Sequence, residues 1–435
     1  MGWLQDGAGL KRKIDWNKLA GYALGTGLVL FIAHNPAQPG MRYDAATQTH
    51  TASIFLPAIG TALIIGVVAA VILKSVTRAD GKINVRLIDA GPRWIWIPLL
   101  VINASLLARL VIDPTMKTLS GGLIGLVFTG VYIAVRRLGS GVFASIAVAV
   151  VIEALSCIVI GTLVEPGIRT GGIISFPARN YAAATVMLVL GAVMATGKRQ
   201  WLIVSVALIG LLFTGSGEAV LAVFVLVVVA LLRRDWGLRM LVPVGAVVVV
   251  AVMMLLTGVG RQIIQPVADK LDTIGSGVVI GERVVPENPT GEYPYAFYKQ
   301  EGGIEYRVEY EYAWEETLDN ALFWRWTGWK RAVQNVSWLG HGYEPTQFDF
   351  YTVHNVPLII VDQIGPVAAA AWAFLMIACL VKTRRKYAIA AILGLSLLDH
   401  FTWTMFAPWT YAILGVVSRN DTDDKIFTKE QMEIR

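Results

Sequence analysis

Long runs of apolar residues recur along most of this 435-residue chain, and they constrain its fold more than any other feature. A run of about 20 apolar residues can cross the roughly 30 Å hydrocarbon core of a bilayer as a helix. The chain is 55% hydrophobic and only 16% charged, whereas a water-soluble protein of this length carries more charge. We therefore predict an all-α polytopic membrane protein and not a β-barrel, which would show short alternating segments.

Twelve runs have the length and composition of membrane-spanning helices. With approximate bounds, they cover residues 17–33, 52–73, 94–112, 119–135, 142–164, 178–196, 201–213, 218–232, 240–259, 354–381, 387–399 and 402–418. They divide the chain into a first membrane region, a large polar loop, a second membrane region and a tail, at residues 1–259, 260–353, 354–418 and 419–435.

The distribution of basic residues predicts how these spans are oriented. Lysines and arginines precede the first span and follow every even-numbered span, for example Arg136 and Arg137 after the fourth. Because basic loops stay in the cytoplasm, both termini should be cytoplasmic and the loop 260–353 should lie outside. The formal charge of +6 is thereby explained by membrane orientation, and nucleic acid is not predicted as a partner.

Cysteine usage points to packing and not to redox or metal chemistry. The only two cysteines, Cys157 and Cys379, both lie within apolar runs. We expect them to be buried in the apolar interior as small hydrophobic side chains.

The large loop is the one long polar segment of the chain, and we expect it to contain helices. The stretch from Gly303 to Trp329 is rich in acidic residues and has a helical composition. Its tryptophans fit either an interfacial belt or stacking platforms for sugar rings. Arg307 and Arg325 stand out in this acidic setting, because a guanidinium group matches phosphate oxygens in a bidentate manner.

Several charged residues lie within or beside the predicted spans, where charge is costly and needs an explanation. Arg109, four residues before Asp113, either pairs with that residue and reaches outward or helps to bind an anion. Glu153 either pairs with a neighbouring helix or lines a polar cavity. Arg169 and Arg179 flank the predicted outer mouth between the fifth and sixth spans and are candidates for substrate contact.

His354 lies where the chain re-enters the membrane after the large loop. A lone histidine is most often structural, but this one precedes a span, and the helix N-terminus holds its backbone nearly rigid. An imidazole can take a proton near neutral pH, so His354 is a candidate general base. Asn355 beside it can donate and accept hydrogen bonds.

These residues resemble the signature of bacterial O-antigen ligases, in which His-Asn precedes a glycine pair at the start of a span. The matching stretches, which all fall within residues 165–418, are His354-Asn355 followed after nine residues by Gly365, Arg325-xxx-Trp329-xx-Ala332, Gly340-His341-Gly342, Phe176-Pro177-Ala178-Arg179-Asn180 and Phe213-Thr214-Gly215-Ser216. Twelve spans with one large loop after the ninth is also that family's layout. Two positions depart from the pattern, since Ala368 replaces the second glycine and Gly217 replaces an arginine.

The resemblance implies a GT-C-like glycosyltransferase of the bacterial inner membrane with a periplasmic loop. Its donor would be a glycan on undecaprenyl pyrophosphate, and its acceptor a sugar hydroxyl of lipid A-core. His354 would be the general base of an inverting reaction. The donor contacts would come from Arg325, Arg179, Arg169, Arg109, Arg307 and Asn355. No cofactor is implied, and no carboxylate–histidine cluster in the sequence indicates a metal.

Two other functions remain open. Arg331 followed after ten residues by Gly342 fits a pattern of O-antigen repeat-unit polymerases, which would add the glycan to a growing lipid-linked chain. A transporter of lipid-linked glycans is the alternative of another class. It should carry charges along several spans, and Glu153 is the main one deep within a span here.

Arg325 can be tested by substitution. If its guanidinium group holds the pyrophosphate, Arg325→Ala should lose donor binding more completely than Arg325→Lys, which keeps the charge but not the bidentate geometry. Binding of a lipid-linked glycan to the purified variants measures this. Equal activity of the wild type and both variants would exclude the role.

Overall fold

The structure of the chain is a computed structural model. The structure describes residues 15–33, 43–44, 49–50, 55–77, 91–164, 174, 201–214, 245, 249, 296–301, 304–309, 329, 332–334, 336–342, 355–383, 386–398, 403 and 407–419.

Helices dominate the part of the chain that the structure describes. They are α1 Trp16–Ile32, α2 Phe55–Val76, α3 Arg93–Ile112, α4 Met116–Leu138, α5 Val142–Val159, α6 Trp201–Thr214, α7 Val356–Ile364, α8 Pro366–Lys382, α9 Lys386–Leu398 and α10 Ala407–Val417. A 3₁₀ turn at Gly139–Gly141 joins α4 to α5, and a π-helical turn at Ile160–Val164 extends α5. Two short antiparallel pairs of strands accompany them: β1 Tyr43–Asp44 with β2 Thr49–His50, and β3 Ala296–Glu301 with β4 Ile304–Glu309.

Most of the predicted spans that fall on described residues coincide with helices. The bounds of α1 to α6 and of α9 follow the predicted runs closely, whereas α10 begins only at Ala407. The predicted span 354–381 is divided into α7 and α8 at Gly365. The predicted spans 178–196, 218–232 and 240–259 lie outside the described residues, apart from residues 245 and 249.

The helix predicted in the loop was wrong at residues 304–309, which form β4, whereas Trp329 and residues 332–334 of the same loop are helical. The described residues are otherwise almost all helical, which is consistent with the predicted all-α class. β4 covers residues 304–309, inside the stretch that was expected to be helical. Ile304, Tyr306 and Val308 alternate there with charged residues, which is the period of a strand. Glu301 pairs with Ile304, so two glycines separate the strands, and a Gly-Gly pair is a strong hairpin signal.

Small residues bring the first helices into close contact. A Cβ atom on Gly60 of α2 would overlap the backbone nitrogen of Phe31 and lie 2.7 Å from the carbonyl oxygen of Gly27 in α1. α1 also packs on α5, and Gly25 lies against the backbone of Val142 there. α3 packs on both α4 and α8, and α4 packs on α10. These contacts form one bundle with a continuous apolar core.

α3 is apolar on both its inner and its outer face. Ile95, Leu99, Ile102 and Leu106 are buried in the core, whereas Ile97, Leu100, Leu107 and Val111 follow one exposed stripe. A helix that is apolar all round is either buried in a large protein or crosses a membrane. Within the described ranges, α3 and the Leu56–Val76 part of α2 are long and apolar enough to cross a membrane.

Basic side chains gather at one end of the bundle. Arg136, near the end of α4, donates to the carbonyl oxygen of Ser418 at 2.6 Å and to its hydroxyl at 2.8 Å. Arg419 lies against Gly139, and the ammonium group of Lys382 lies 5.8 Å from the ring centroid of Trp94. The basic segments after the fourth, tenth and twelfth predicted spans therefore share one end.

The two cysteines are buried, as predicted. Cys157 in α5 and Cys379 in α8 are both unbridged thiols with no exposed surface. Each fills space in the apolar core, which confirms the packing role inferred from the sequence.

The glycine contact between α1 and α2 generates a stability prediction. Gly60→Ala should destabilise the fold by about 1–3 kcal/mol, because the added methyl group meets backbone atoms that cannot move aside. Thermal unfolding of the detergent-solubilised protein measures the change.

Gly66→Ala is the matched control in the same helix. A Cβ atom there meets nothing within 4 Å, so the substitution should be neutral or stabilise α2 by up to about 1 kcal/mol through helix propensity. Equal melting temperatures for the two variants would contradict the packing of α1 on α2.

Candidate functional site

A turn of the large loop docks where α7 meets α8. We call Gly340–Gly342 the glycine turn. The backbone N–H of His341 donates to the carbonyl oxygen of Asp362 at 2.6 Å, and that of Gly342 donates to Gln363 at 3.0 Å. The turn thus lies at the C-terminal end of α7, about twenty residues further along the chain.

These hydrogen bonds satisfy carbonyl groups that α7 itself leaves without partners. The last four carbonyl oxygens of any α-helix lack an intrahelical N–H donor. In α7, Asp362 and Gln363 are among those four, and the glycine turn supplies a donor to each. The amide of Gly365 adds hydrogen bonds to Ile360 at 3.1 Å and Val361 at 3.0 Å. The loop therefore acts as the C-terminal cap of a short helix.

The docking requires glycine on both sides of the contact. Gly340 has a φ of 68°, and a Cβ atom there would overlap the backbone of Gln363 and Ile364. Gly365 has a φ of 92°, and its Cβ atom would overlap the carbonyl oxygen of Trp338. Only glycine combines a positive φ with so close a backbone approach at low cost.

Arg109 holds the glycine turn from the other side. It lies in the last turn of α3, and its side chain is only 15% exposed. Nη1 donates to the carbonyl oxygen of Gly340 at 3.1 Å, whereas Nη2 donates to that of His341 at 2.9 Å and to Asp113 Oδ2 at 2.9 Å. A Cβ atom on Gly342 would lie 3.2 Å from Nη2, so the turn and the guanidinium group are in contact. Both Nη atoms therefore bind protein groups.

The Arg109–Asp113 pair confirms one of the two roles predicted for Arg109. The salt bridge follows from their i, i+4 spacing on α3 and is directly visible in the sequence. Contact with an anionic substrate stays a prediction. The bonds to the glycine turn join residues 231 and 232 positions apart, and no local pattern could reveal them.

Asn355 is the N-cap of α7. Its Oδ1 accepts from the backbone N–H of Leu358 at 3.1 Å, and its Nδ2 donates to the carbonyl oxygen of Leu397 at 3.0 Å, near the end of α9. Asn is among the preferred N-cap residues, because its side chain satisfies an orphan N–H of the first turn. Asn355 both starts α7 and ties that start to a neighbouring helix.

Glu153 is tied to a backbone amide. The residue is fully buried in α5, and its Oε2 accepts from the N–H of Ile174 at 2.7 Å. Ile174 lies in sequence between Arg169 and Arg179, and it is the one residue between them that the structure describes. The carboxylate therefore binds the chain after α5.

The other predicted site residues cannot be placed around this turn. His354, Arg325, Arg169 and Arg179 lie outside the described residues. The backbone of Arg307 lies in β4, opposite Tyr298 of β3, and its side chain is likewise outside the described part. Among the described residues, no three His, Cys, Asp or Glu side chains are grouped as metal ligands. Metal independence stays a prediction.

The break between α7 and α8 and the residues that cap it were not predicted from the sequence. The Gly365-Pro366 pair is a strong sequence signal for the end of a helix, because proline has no N–H group to continue the helical hydrogen bonds and glycine permits a positive φ. The break could therefore have been predicted from the sequence. Asp362 and Gln363 matter through their backbone oxygens, and no side-chain motif could reveal this.

Comparison with models of protein families and with curated protein sequences finds no match to this chain. The functional conclusions therefore depend on the geometry and on the motifs described above.

The cap at Asn355 can be dissected by two substitutions. Asn355→Ala removes both hydrogen bonds and should lower the free energy of unfolding by about 0.5–2 kcal/mol. Asn355→Asp keeps the cap acceptor but loses the donor to Leu397, so it should cost less. Thermal unfolding in detergent compares them, and equal losses would show that the cap contributes nothing.

Proposed function

We propose that this chain is a multi-pass glycosyltransferase of the bacterial inner membrane, with both termini cytoplasmic and the loop 260–353 in the periplasm. It moves a glycan from undecaprenyl pyrophosphate to a sugar hydroxyl of lipid A-core, as an O-antigen ligase does. The substrates are membrane lipids or attached to them, and the reaction needs no cofactor or metal.

One observation carries this proposal. Two stretches of the ligase-like signature, the glycine turn and the run from Asn355 to Gly365, meet at one helix. His341 and Gly342 cap the end of α7, Gly365 ends it, and Asn355 begins it. The glycine turn is about twenty residues away from the end of α7 in the sequence, and a chance similarity would give no reason for the two stretches to be in contact.

The membrane setting is supported by the surface and the ends of the bundle. The exposed apolar stripe of α3 suits contact with lipid, since soluble proteins rarely expose large apolar patches. Arg136, Lys382 and Arg419 gather at one end, which suits the cytoplasmic side. Arg109 and the glycine turn lie at the other end of α3, which suits the periplasmic side.

The chemistry assigned to His354 is proton removal from the acceptor. The hydroxyl oxygen attacks the anomeric carbon and forms the new glycosidic bond, while the bond from that carbon to the phosphate oxygen breaks. Undecaprenyl pyrophosphate leaves with the bonding electrons, and the imidazole takes the hydroxyl proton. Attack opposite the leaving group inverts the anomeric centre. General base catalysis of this kind contributes about 10²–10⁴-fold.

The leaving pyrophosphate needs cationic partners, since its charge grows as the bond breaks. Arg325 is the first candidate, and Arg169, Arg179 and Arg307 are the others. Ile174, whose N–H group donates to Glu153, lies in sequence between Arg169 and Arg179. Arg109 is a weaker candidate for direct contact, because both of its Nη atoms bind protein groups.

A repeat-unit polymerase is the second candidate function, and one specific observation favours it. Arg331 and Gly342 have the spacing seen in such polymerases, and Gly342 belongs to the glycine turn. The donor and the general base would be the same. Only the acceptor would differ, being a second lipid-linked glycan.

His354→Ala tests the proposal. Purified protein in detergent, supplied with lipid-linked glycan and an acceptor, should form product, and His354→Ala should reduce the rate by about 10²-fold or more while donor binding persists. Product is measured by the mobility shift of the acceptor. Normal transfer by the variant would exclude His354 as the base.

The same assay separates the candidate functions. Consumption of the lipid A-core acceptor indicates a ligase, whereas formation of longer lipid-linked chains indicates a polymerase. A transporter would form no product in detergent, because it needs a sealed membrane to show activity. Deletion of the gene in cells gives an independent result, since full-length glycan chains remain attached to the carrier lipid when a ligase is lost.

A further inference from the structure

We propose that Arg109 is a positioning residue that sets the orientation of α7, whose N-cap Asn355 directly follows the proposed base His354 in the sequence. This inference rests on the proposed function, in which His354 is the general base. It differs from the role suggested by the sequence, where the cation of Arg109 would meet the substrate directly. The steps run from Arg109 to the glycine turn, from the turn to α7, and along α7 to Asn355.

The first step is that the guanidinium group fixes the glycine turn to α3. Three donor–acceptor contacts of 2.9–3.1 Å use both Nη atoms, and two of them end on consecutive carbonyl oxygens of the turn. Asp113 Oδ2 holds the guanidinium group in this orientation from the end of α3. Because α3 is packed against α4 and α8, it is a firm base for the turn.

The second step is that the turn fixes the C-terminal end of α7. The N–H groups of His341 and Gly342 donate to consecutive carbonyl oxygens of α7, at 2.6 and 3.0 Å. On its other side, α7 is joined to α8 by Gly365, whose positive φ makes a sharp change of direction. Gln363 also accepts from Trp403 Nε1 at 2.9 Å through its side chain.

The third step is that α7 transmits this orientation to its N-terminus. A helix of nine residues is about 13–14 Å long and moves as a rigid rod. Asn355 ties the N-terminal end to Leu397, and Arg109 ties the C-terminal end through the turn. Two anchors at opposite ends define the tilt of a rod. Asn355, which directly follows His354 in the sequence, is thereby held in that orientation.

Arginine is needed here because of its geometry, not only because of its charge. A guanidinium fork places several N–H donors in fixed directions, whereas a lysine ammonium on a flexible stem does not. Arg109→Lys should therefore keep the ion pair with Asp113 but hold the turn poorly. An error of about 1 Å in the position of a reacting group can cost about 10²-fold in rate.

The experiment combines kinetics with hydrogen exchange on the full chain in detergent. Arg109→Ala and Arg109→Lys should lower kcat by about 10–10²-fold while KM for the lipid-linked donor stays within about twofold, because the base is displaced and the donor contacts remain. Backbone amides of α7 should exchange faster in both variants. If Arg109→Ala does not yield folded protein, Arg109→Lys supplies both readouts.

Arg136→Ala is the matched control. Arg136 also donates to a backbone carbonyl, that of Ser418 at 2.6 Å, but at the basic end of the bundle. Its loss should lower thermal stability without changing kcat or exchange in α7 at temperatures where the variant is folded. A generic effect of losing a buried arginine would instead appear in both variants.

The outcomes separate this inference from the function on which it rests. A raised donor KM with unchanged kcat and unchanged exchange in α7 would assign Arg109 to the pyrophosphate and overturn the inference. Wild-type protein that transfers no glycan would overturn the proposed function. Unaltered exchange in α7 of the Arg109 variants would overturn the positioning role whatever the activity.

Discussion

Backbone hydrogen bonding at a broken helix is the constraint on which the candidate site depends. A helix of nine residues leaves a large fraction of its carbonyl and amide groups without intrahelical partners. Away from water each such group costs several kcal/mol, so irregular backbone at membrane depth must be satisfied by protein. Here the Asn355 side chain accepts a hydrogen bond from an N–H group at the start of α7, and the glycine turn donates hydrogen bonds to carbonyl oxygens at its end. The glycine turn is thus an integral part of the helix bundle.

The same constraint explains why three glycines and one arginine cluster in space. Gly340 and Gly365 permit two backbone segments to approach closely enough for the turn to donate hydrogen bonds to α7, and Gly342 leaves room for the guanidinium group of Arg109. Arg109 then satisfies the carbonyl oxygens that the turn exposes on its far side. The Arg109 side chain of α3 donates hydrogen bonds to the turn, and the turn donates hydrogen bonds to α7. A residue on α3 can therefore influence a motif more than 200 positions later.

The sequence predicts the helices of this chain much better than the site. Apolar run length depends only on neighbouring residues, so the bounds of α1 to α6 and α9 could be predicted closely. The i, i+4 pairing of Arg109 with Asp113 was visible for the same reason. The helix expected around Gly303 was wrong, because acidic composition outweighed the alternation of Ile304, Tyr306 and Val308. The docking of the glycine turn depends on backbone groups of a later helix, and no periodicity carries that information.

The salt bridge on α3 has a consequence for the biosynthesis of the chain. Arg109 emerges from the ribosome more than 200 residues before the glycine turn that it will bind. In the proposed membrane setting, its charge must be tolerated during that interval, and Asp113 is already at hand one helical turn away. The carboxylate therefore partners the guanidinium group while α3 enters the bilayer and stays paired with it in the folded chain. The site is complete only after the last third of the polypeptide has been synthesised. α3 is therefore made long before the glycine turn and α7, which it contacts.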